Sequence, residues 1–433
     1  MQIRKRSEMS RFGPRVDVRG DRRPWRSGVF ALALVVTALL VASAVPAFGA
    51  PVPAEQARRA AERFLLSERM GGDRSEPPAI TSSTAIADAK GSALAYVHCL
   101  EREGFVITAA DDVLRPVLGF SGEGRFIATE SPGNVLLHLV RWDVEARLRH
   151  EARGTENGQA NKRLWALVIS GDAPLPSRAS SREQWGPWIS SNWHQSGQYN
   201  NECPYVIPHV PGLRRPVGCV ATATAQILNH WRFPRKFSFS SSAWPEGDAY
   251  SKKGIDFDGD AAAYGFPTFT ELNDALDNIT YSGDSDEIAM LNFGVGLKVR
   301  MAYGHTSSGA FMGDVAPAIL DSFGYGSAVF KGKRSGAWTE CRTSVVTNLK
   351  QGRPVELGIH KSSGWDGHAV ICDGYRDPDG YFHINFGWEF GSGTTWYDLP
   401  DSYGSYDVVN SVIYDILPDL PWSQVGADEH NTH

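Results

Sequence analysis

The stretch Val217-Gly218-Cys219-Val220-Ala221-Thr222-Ala223-Thr224-Ala225-Gln226 decides how the rest of the chain is read. From Cys219 to Trp231 the residues are small and helix-tolerant, Gly218 permits close backbone approach at the start, and Pro234 stops the run. The expectation is a buried central helix with a cysteine at its first position. A thiol there faces unpaired amides and the positive end of the helix dipole, which favours thiolate and draws its pKa below the free value of roughly 8.5. Taken alone, the same cysteine reads as well as an inert core residue, because free cysteine is among the most buried residue types. What lies downstream decides between the two.

Gly367-His368-Ala369-Val370 and His383-Ile384-Asn385-Phe386-Gly387-Trp388 follow, in that order. A base and its orienting amide stand roughly 130–150 residues past the nucleophilic cysteine in papain-type enzymes. His368 opens an apolar run that reads as a strand, Asp377-Pro378-Asp379-Gly380 is turn chemistry, and Tyr381 to Phe386 reads as the returning strand. Such a hairpin brings Asn385 back beside His368. There the amide accepts from one imidazole nitrogen and leaves the other to take the thiol proton. Singly, His368 reads as a strand-end core histidine and Asn385 as an edge amide; together, at this spacing, they read as base and orienter.

These segments resemble those of the streptopain-type cysteine peptidases, the C10-like family made as secreted zymogens. The resemblance implies further roles. A Trp-x-Gln segment supplies a side-chain oxyanion donor in that family, and Trp193-His194-Gln195 matches it, so Gln195 is the expected donor beside the Cys219 backbone amide. Trp388 takes the second tryptophan position of the family's Asn-Trp-Gly-Trp string, shielding the His-Asn pair. Phe386 replaces the first tryptophan and Glu389-Phe390 replaces the usual Gly-Gly, so the histidine-side wall departs from the family's shape. Tyr303 to Ala310 resembles the loop bordering the substrate cleft, which assigns His305 to cleft shaping. Gly104 to Asp112 and Arg115 to Phe120 look like the inhibitory prosegment; read without the downstream motifs, they suit an independent binding module equally.

The implied fold is α+β: a papain-like cysteine protease fold, with a central helix carrying Cys219 and an antiparallel sheet carrying His368 and Asn385, preceded by a small α+β prodomain. The implied activity is cysteine-type endopeptidase, with protein or peptide substrates and the propeptide as intramolecular inhibitor. Hydrophobic side chains just upstream of the cut are the family's suggestion. Two rivals stand beside it: a catalytically silent binding protein of this fold with a dead site, and an amidase or peptide ligase that uses the same residues.

The rest of the chain sets the context. Val29 to Val45 is apolar, follows Arg22, Arg23 and Arg26, and runs into the small residues at Ala47 to Ala50, which reads as a secretory signal over 1–49; a membrane anchor needs about 20 apolar residues. Residues 50–170 read as the propeptide domain, with a helix near Ala57 to Leu65, strands at Ala95 to Leu100, Phe105 to Ala109 and Pro116 to Phe120, and a helix over about Val135 to Leu148. The Pro- and Ser-rich segment 171–182 reads as the exposed activation linker, 183–418 as the catalytic domain and 419–433 as a tail. Extracellular or periplasmic location follows, with no stable membrane anchor. A formal charge of −6 gives no reason to expect nucleic acid.

Five cysteines, an odd number, leave at least one thiol unpaired and the pairing of Cys203 with Cys341 open. No C-x-x-C or H-E-x-x-H occurs, and Asp256, Asp258 and Asp260 lack the closing glutamate of a calcium loop, which favours a solvated acidic turn. No cofactor is expected, only reducing conditions to keep the thiol free.

Overall fold

The computed structural model describes residues 49–68, 76–131, 133–151, 155–171, 183–240, 257–332, 337–360, 367–388, 393–399 and 408–419. All but Gly49 of the expected signal, the activation linker beyond Gly171, Asp256, Glu389-Phe390 and all but Asp419 of the tail lie outside them.

Helix α1 (Ala54–Glu68) turns Ala57, Ala61, Phe64 and Leu65 inward, as their spacing requires. Strands β1 (Ile80–Ala87), β2 (Ala93–Leu100), β3 (Phe105–Ala109) and β4 (Val117–Ser121) follow as an antiparallel ladder. Helices α2 (Val135–Glu151) and α3 (Glu156–Ser170) complete the N-terminal half. Alternate residues of β3 serve opposite faces. Phe105 and Ile107 join the cluster of Val140 and Val144 from α2, while Val106 joins that of Phe64 and Leu65 from α1.

The sequence reading contains neither β1 nor α3. Strand β1 is an edge strand of serines and threonines with only Ile80 and Ile86 buried, so it carries no apolar alternation. Helix α3 buries little beyond Trp165 and Val168 and is specified by its ends, Thr155 accepting from Gly158 N and Gly171 in the left-handed region at φ 80.

The C-terminal half runs through β5 (Glu183–Trp185), α4 (Cys219–Trp231), α5 (Phe257–Tyr264), α6 (Phe269–Ala275), α7 (Ser285–Lys298), β6 (Tyr325–Gly332), α8 (Ala337–Lys350), β7 (Val355–His360), β8 (Gly367–Asp377), β9 (Tyr381–Asn385), β10 (Thr394–Asp398) and β11 (Val409–Pro418). Strand order is β1-β2-β3-β4-β10-β9-β8-β7-β11-β6, with β5 on β8, so one sheet passes from one half into the other. Ala369 and Ile371 of β8 share a cluster with Val220 and Ala223 of α4, while the intervening Val370 and Cys372 face Val345 of α8. The nucleophile helix therefore covers one face of the sheet alone. Cys203 and Cys341 belong to these two separate clusters, and all five cysteines are free thiols. Among the described residues no helix is long and apolar enough to cross a membrane, and no group of three His, Cys, Asp or Glu could hold a metal ion.

The seam between the halves is the β4–β10 pairing, Phe120 opposite Trp396 and Gly119 opposite Tyr397. Charge closes it. Asp398 of β10 pairs with Arg147 of α2 at 2.7 Å and with Arg115 at 3.3 Å, and Arg147 also meets Asp143 at 2.8 Å. Tyr397 donates to Asp143 at 2.7 Å. Burial would raise the Asp398 carboxyl, but the two guanidiniums outweigh it and hold it below the usual carboxylate range.

His98, fully buried on β2, adds a pH response to the N-terminal half. Its Nδ1 stands 2.8 Å from Ser83 Oγ and its Nε2 2.9 Å from Thr108 Oγ1. Burial, with Arg58 nearby, lowers its pKa from 6.5 to about 4. Between those values the unfolded chain binds a proton that the folded chain refuses, so stability falls as pH drops from 6.5 towards 4. The loss across that range is about 3 kcal/mol. Thermal unfolding of the N-terminal half across that range should show it, and His98→Gln should flatten the dependence; equal slopes in both proteins would remove His98 as its source.

Candidate active site

Helix α4 begins at Cys219 because Gly218 sits at φ 92 and a side chain there would run into the Met301 sulfur. Thr222 N–H and Oγ1–H both return to Gly218 O, fastening the first turn. The Cys219 residue is partly exposed. Its thiol lies against the backbone amide of Ala369, the residue after His368, and that contact joins the start of α4 to the start of β8.

The expected depression of the thiol pKa is not what this form of the protein has. Burial raises it above the ordinary value, and the amides of Ala369, Val220 and Cys219 only partly offset that. A further contribution in the same direction comes from Glu356 of β7. Glu356 is fully buried under α4, accepts from Thr224 Oγ1 at 3.0 Å, and leaves Oε1 without a partner; burial pushes its carboxyl up to about 8.

Gln195 is buried, and its Nε2 has no hydrogen-bond partner. An N–H pair held dry and unused in this way is a preorganised donor. Its backbone carbonyl accepts from Val217 N at 3.0 Å, which ties the donor segment to the residues just before Cys219.

His368 is half-buried at the start of β8. Its ring is stacked at 6.4 Å and 13° on His138 of α2, and Trp388 meets it edge-on at 6.4 Å. Trp142 stacks on the other side of His138 at 5.4 Å. Gly133 lies so close to the Trp388 indole that a Cβ there would enter the ring. The N-terminal half thus covers both members of the histidine-side wall.

Asn385 requires a correction. The β8–β9 ladder places it opposite Ile371, further along β8 than His368; the bulge at Cys372 to Gly374 shifts the register by only one residue towards His368. Its Nδ2 donates to Ser191 O at 2.9 Å, and its Oδ1 accepts from Gly387 N at 3.0 Å. In this form the amide holds the segment carrying Trp388 to the segment carrying Gln195.

The residue that gathers these segments is Gln226, which the sequence reading quotes but does not weigh. Its Oε1 accepts from Ser191 Oγ and from Trp193 N, both at 3.0 Å. The signal is available: Gln226 is an amide set among small and apolar residues of the helix, seven residues and so two turns past Cys219 on the same face. Asp373 does similar work beside it, accepting from Ile189 N at 2.9 Å and facing His383 at 2.6 Å.

Residues 193–397 match the Peptidase C10 family and residues 49–142 match the Spi protease inhibitor family. The thiol protease/hemagglutinin PrtT of Porphyromonas gingivalis is 28% identical over 356 residues, which cover 78% of this chain and 37% of PrtT. Streptopain of Streptococcus pyogenes is 27% identical over 320 residues, covering 68% of this chain and 71% of streptopain. A fragment of Prevotella intermedia prointerpain A has a similar fold, with a TM-score of 0.50 and 22% identity over 78% of this chain and all of the fragment. The chain therefore carries a cysteine peptidase domain of the C10 family behind a prosegment of the Spi protease inhibitor type.

Proposed function

We propose that this chain is a secreted cysteine endopeptidase made as a self-inhibited zymogen. The observation that carries the reading is the contact of Gly133 and His138 with Trp388 and His368, which puts the prosegment over the base of a Cys219 site. Removal of residues 50–170 by a cut within 171–182 uncovers His368. The imidazole then takes the Cys219 proton, and the thiolate attacks the scissile carbonyl. Gln195 Nε2–H and the Cys219 amide hold the oxyanion, His368 returns its proton to the leaving amine, and water releases the acyl group. Asn385 orients the imidazole once its oxygen turns from Gly387 N, and Trp388 keeps water from the pair. Reducing conditions suffice; no cofactor takes part.

The test follows intact mass after reductant is added to the precursor, with iodoacetamide labelling at mildly acidic pH before and after processing. Shortening to a chain beginning between Pro174 and Glu183, with Cys219 labelled only afterwards, is the expected result. A precursor that never shortens, and a Cys219 that stays unlabelled after another protease removes the prosegment, would leave a binding protein instead. Product masses in the presence of an added amine separate hydrolysis from ligation. Gln195→Ala should lower kcat by about 10² to 10³ while the labelling rate of Cys219 holds; a parallel loss of labelling would make Gln195 a packing residue.

A further inference from the structure

Between the oxyanion donor and the nucleophile the chain makes a detour, Pro204 to Pro216, that the catalytic scheme does not use. It is a short two-stranded finger. Val206 N donates to Leu213 O at 2.9 Å and Arg215 N to Pro204 O at 2.9 Å, with Tyr205 bridged to Arg214. Its base is fixed from several sides. Arg214 donates to Cys203 O at 2.6 Å and Gly265 O at 2.7 Å and stacks over the Tyr205 ring at 4.3 Å. Arg215 donates to Tyr303 O at 2.9 Å, and in the turn itself His209 N donates to Ala263 O at 2.6 Å.

The tip of this rigid finger is apolar and open to solvent. Ile207 is 57% exposed, Val210 52% and Leu213 76%. Fixing such side chains in water gains nothing for the fold, since neither their burial nor their freedom is recovered. Single exposed apolar residues need no explanation, but a cluster on an anchored loop marks a contact surface.

Its position identifies the contact. Gly212 and Leu213 line an open cleft of about 500 Å³ together with Ser196, Asn200 and His305. Ser196 follows Gln195, and Pro216 stands just before Gly218 and Cys219. His305 belongs to the loop whose Ser308 lies 3.3 Å from the point a Gly218 side chain would occupy. Three separate segments thus link the cleft to the reacting groups, and most of its lining residues are polar. An exposed patch of this kind spans a few hundred Å², short of the roughly 800 Å² per partner of a stable dimer. Both arginines of the finger point into the protein, so it lacks the cationic face of a membrane-binding element.

We infer that the 204–216 finger is an exosite that takes an apolar side chain of an extended polypeptide substrate, several residues away from the scissile bond. The inference rests on the peptidase reading, and the two fail separately. Zymogen allowed to process itself would be assayed on a short reporter ending at the scissile bond and on peptides of about ten residues with leucine or aspartate placed in turn at each distal position. In the wild type one distal leucine should raise kcat/KM about tenfold through KM, as burial of one such side chain allows. Val210→Asp and Leu213→Asp should each remove that preference, lowering the ratio of long-peptide to short-reporter kcat/KM about tenfold. An unchanged ratio overturns the exosite. So does a wild-type dimer that Leu213→Asp dissociates, or binding of neutral phosphatidylcholine vesicles that Val210→Asp abolishes, because the finger's occupant would then be a second copy or a bilayer. Cleavage of neither substrate by the wild type would instead remove the peptidase reading.

Discussion

Replacing Cys219 by alanine should lower peptide-bond turnover of the processed protein by about 10⁶-fold. On the proposed mechanism the thiol forms the acyl-enzyme, and the first turn of α4 offers no substitute: Val220, Ala221 and Ala223 carry no nucleophile and the Thr222 hydroxyl donates to Gly218 O. His368→Ala should cost about as much, because base and nucleophile act as one unit. The double variant should be no slower than either single one, and additive losses would mean that the two act in separate steps. What survives is the binding and oxyanion contribution of Gln195 and the Cys219 amide, about 10³ to 10⁴ over water. Steady-state rates on a short reporter, with the variants processed by added wild-type enzyme, read all of this. A Cys219→Ala protein that keeps even a hundredth of the wild-type rate removes the nucleophile.

How much of this was legible in the sequence varies with the kind of signal. The nucleophile helix announces itself through small residues, a glycine before it and a proline after it, and α4 runs from Cys219 to Trp231 as expected. Strands β2, β3 and β4 follow from continuous apolar runs. Edge strand β1 could not be read, since its exposed serines and threonines owe their place to pairing with β2 rather than to burial. The register of Asn385 follows from where the turn closes: with Tyr375 opposite Phe382 the hairpin cannot bring Asn385 level with His368, and the bulge at Cys372 to Gly374 recovers only one residue.

The state of the site was less legible than its membership. A helix N-terminus does favour a thiolate, but burial of the Cys219 thiol works against it, and desolvation outweighs the helix-end amides. The contact of His138 with His368 joins residues far apart in sequence, and neither segment alone predicts it. Glu356 is hidden differently: one carboxylate in an apolar strand, Val355 to Ile359, reads as an exposed edge position until α4 is seen to cover it.

The seam between the halves gives the other large effect. Asp398→Ala should loosen the prosegment by about 3 kcal/mol, the lower end of what breaking a buried ion pair costs, because Arg147 keeps Asp143 after Asp398 is gone. Arg147 is only 3% exposed, so it cannot recover the loss by turning to water. On a Cys219→Ala background, where self-cleavage cannot intervene, trypsin should cut the prosegment about a hundredfold faster, and β4 amides paired with Trp396 and Tyr397 should exchange sooner. Unchanged protection would mean that the β4–β10 ladder holds the halves without the ion pairs. pH separates this contribution from that of His98. The Asp398 carboxyl is held low in the folded protein, so its stabilisation is fully present above the unfolded value of about 3.9 and is lost only as pH falls through its own lower pKa. His98 acts earlier, between 6.5 and about 4. Mild acid therefore weakens the N-terminal half from inside while the seam stays charged, and an Asp398→Ala zymogen should keep the full His98 response on a lower baseline of stability.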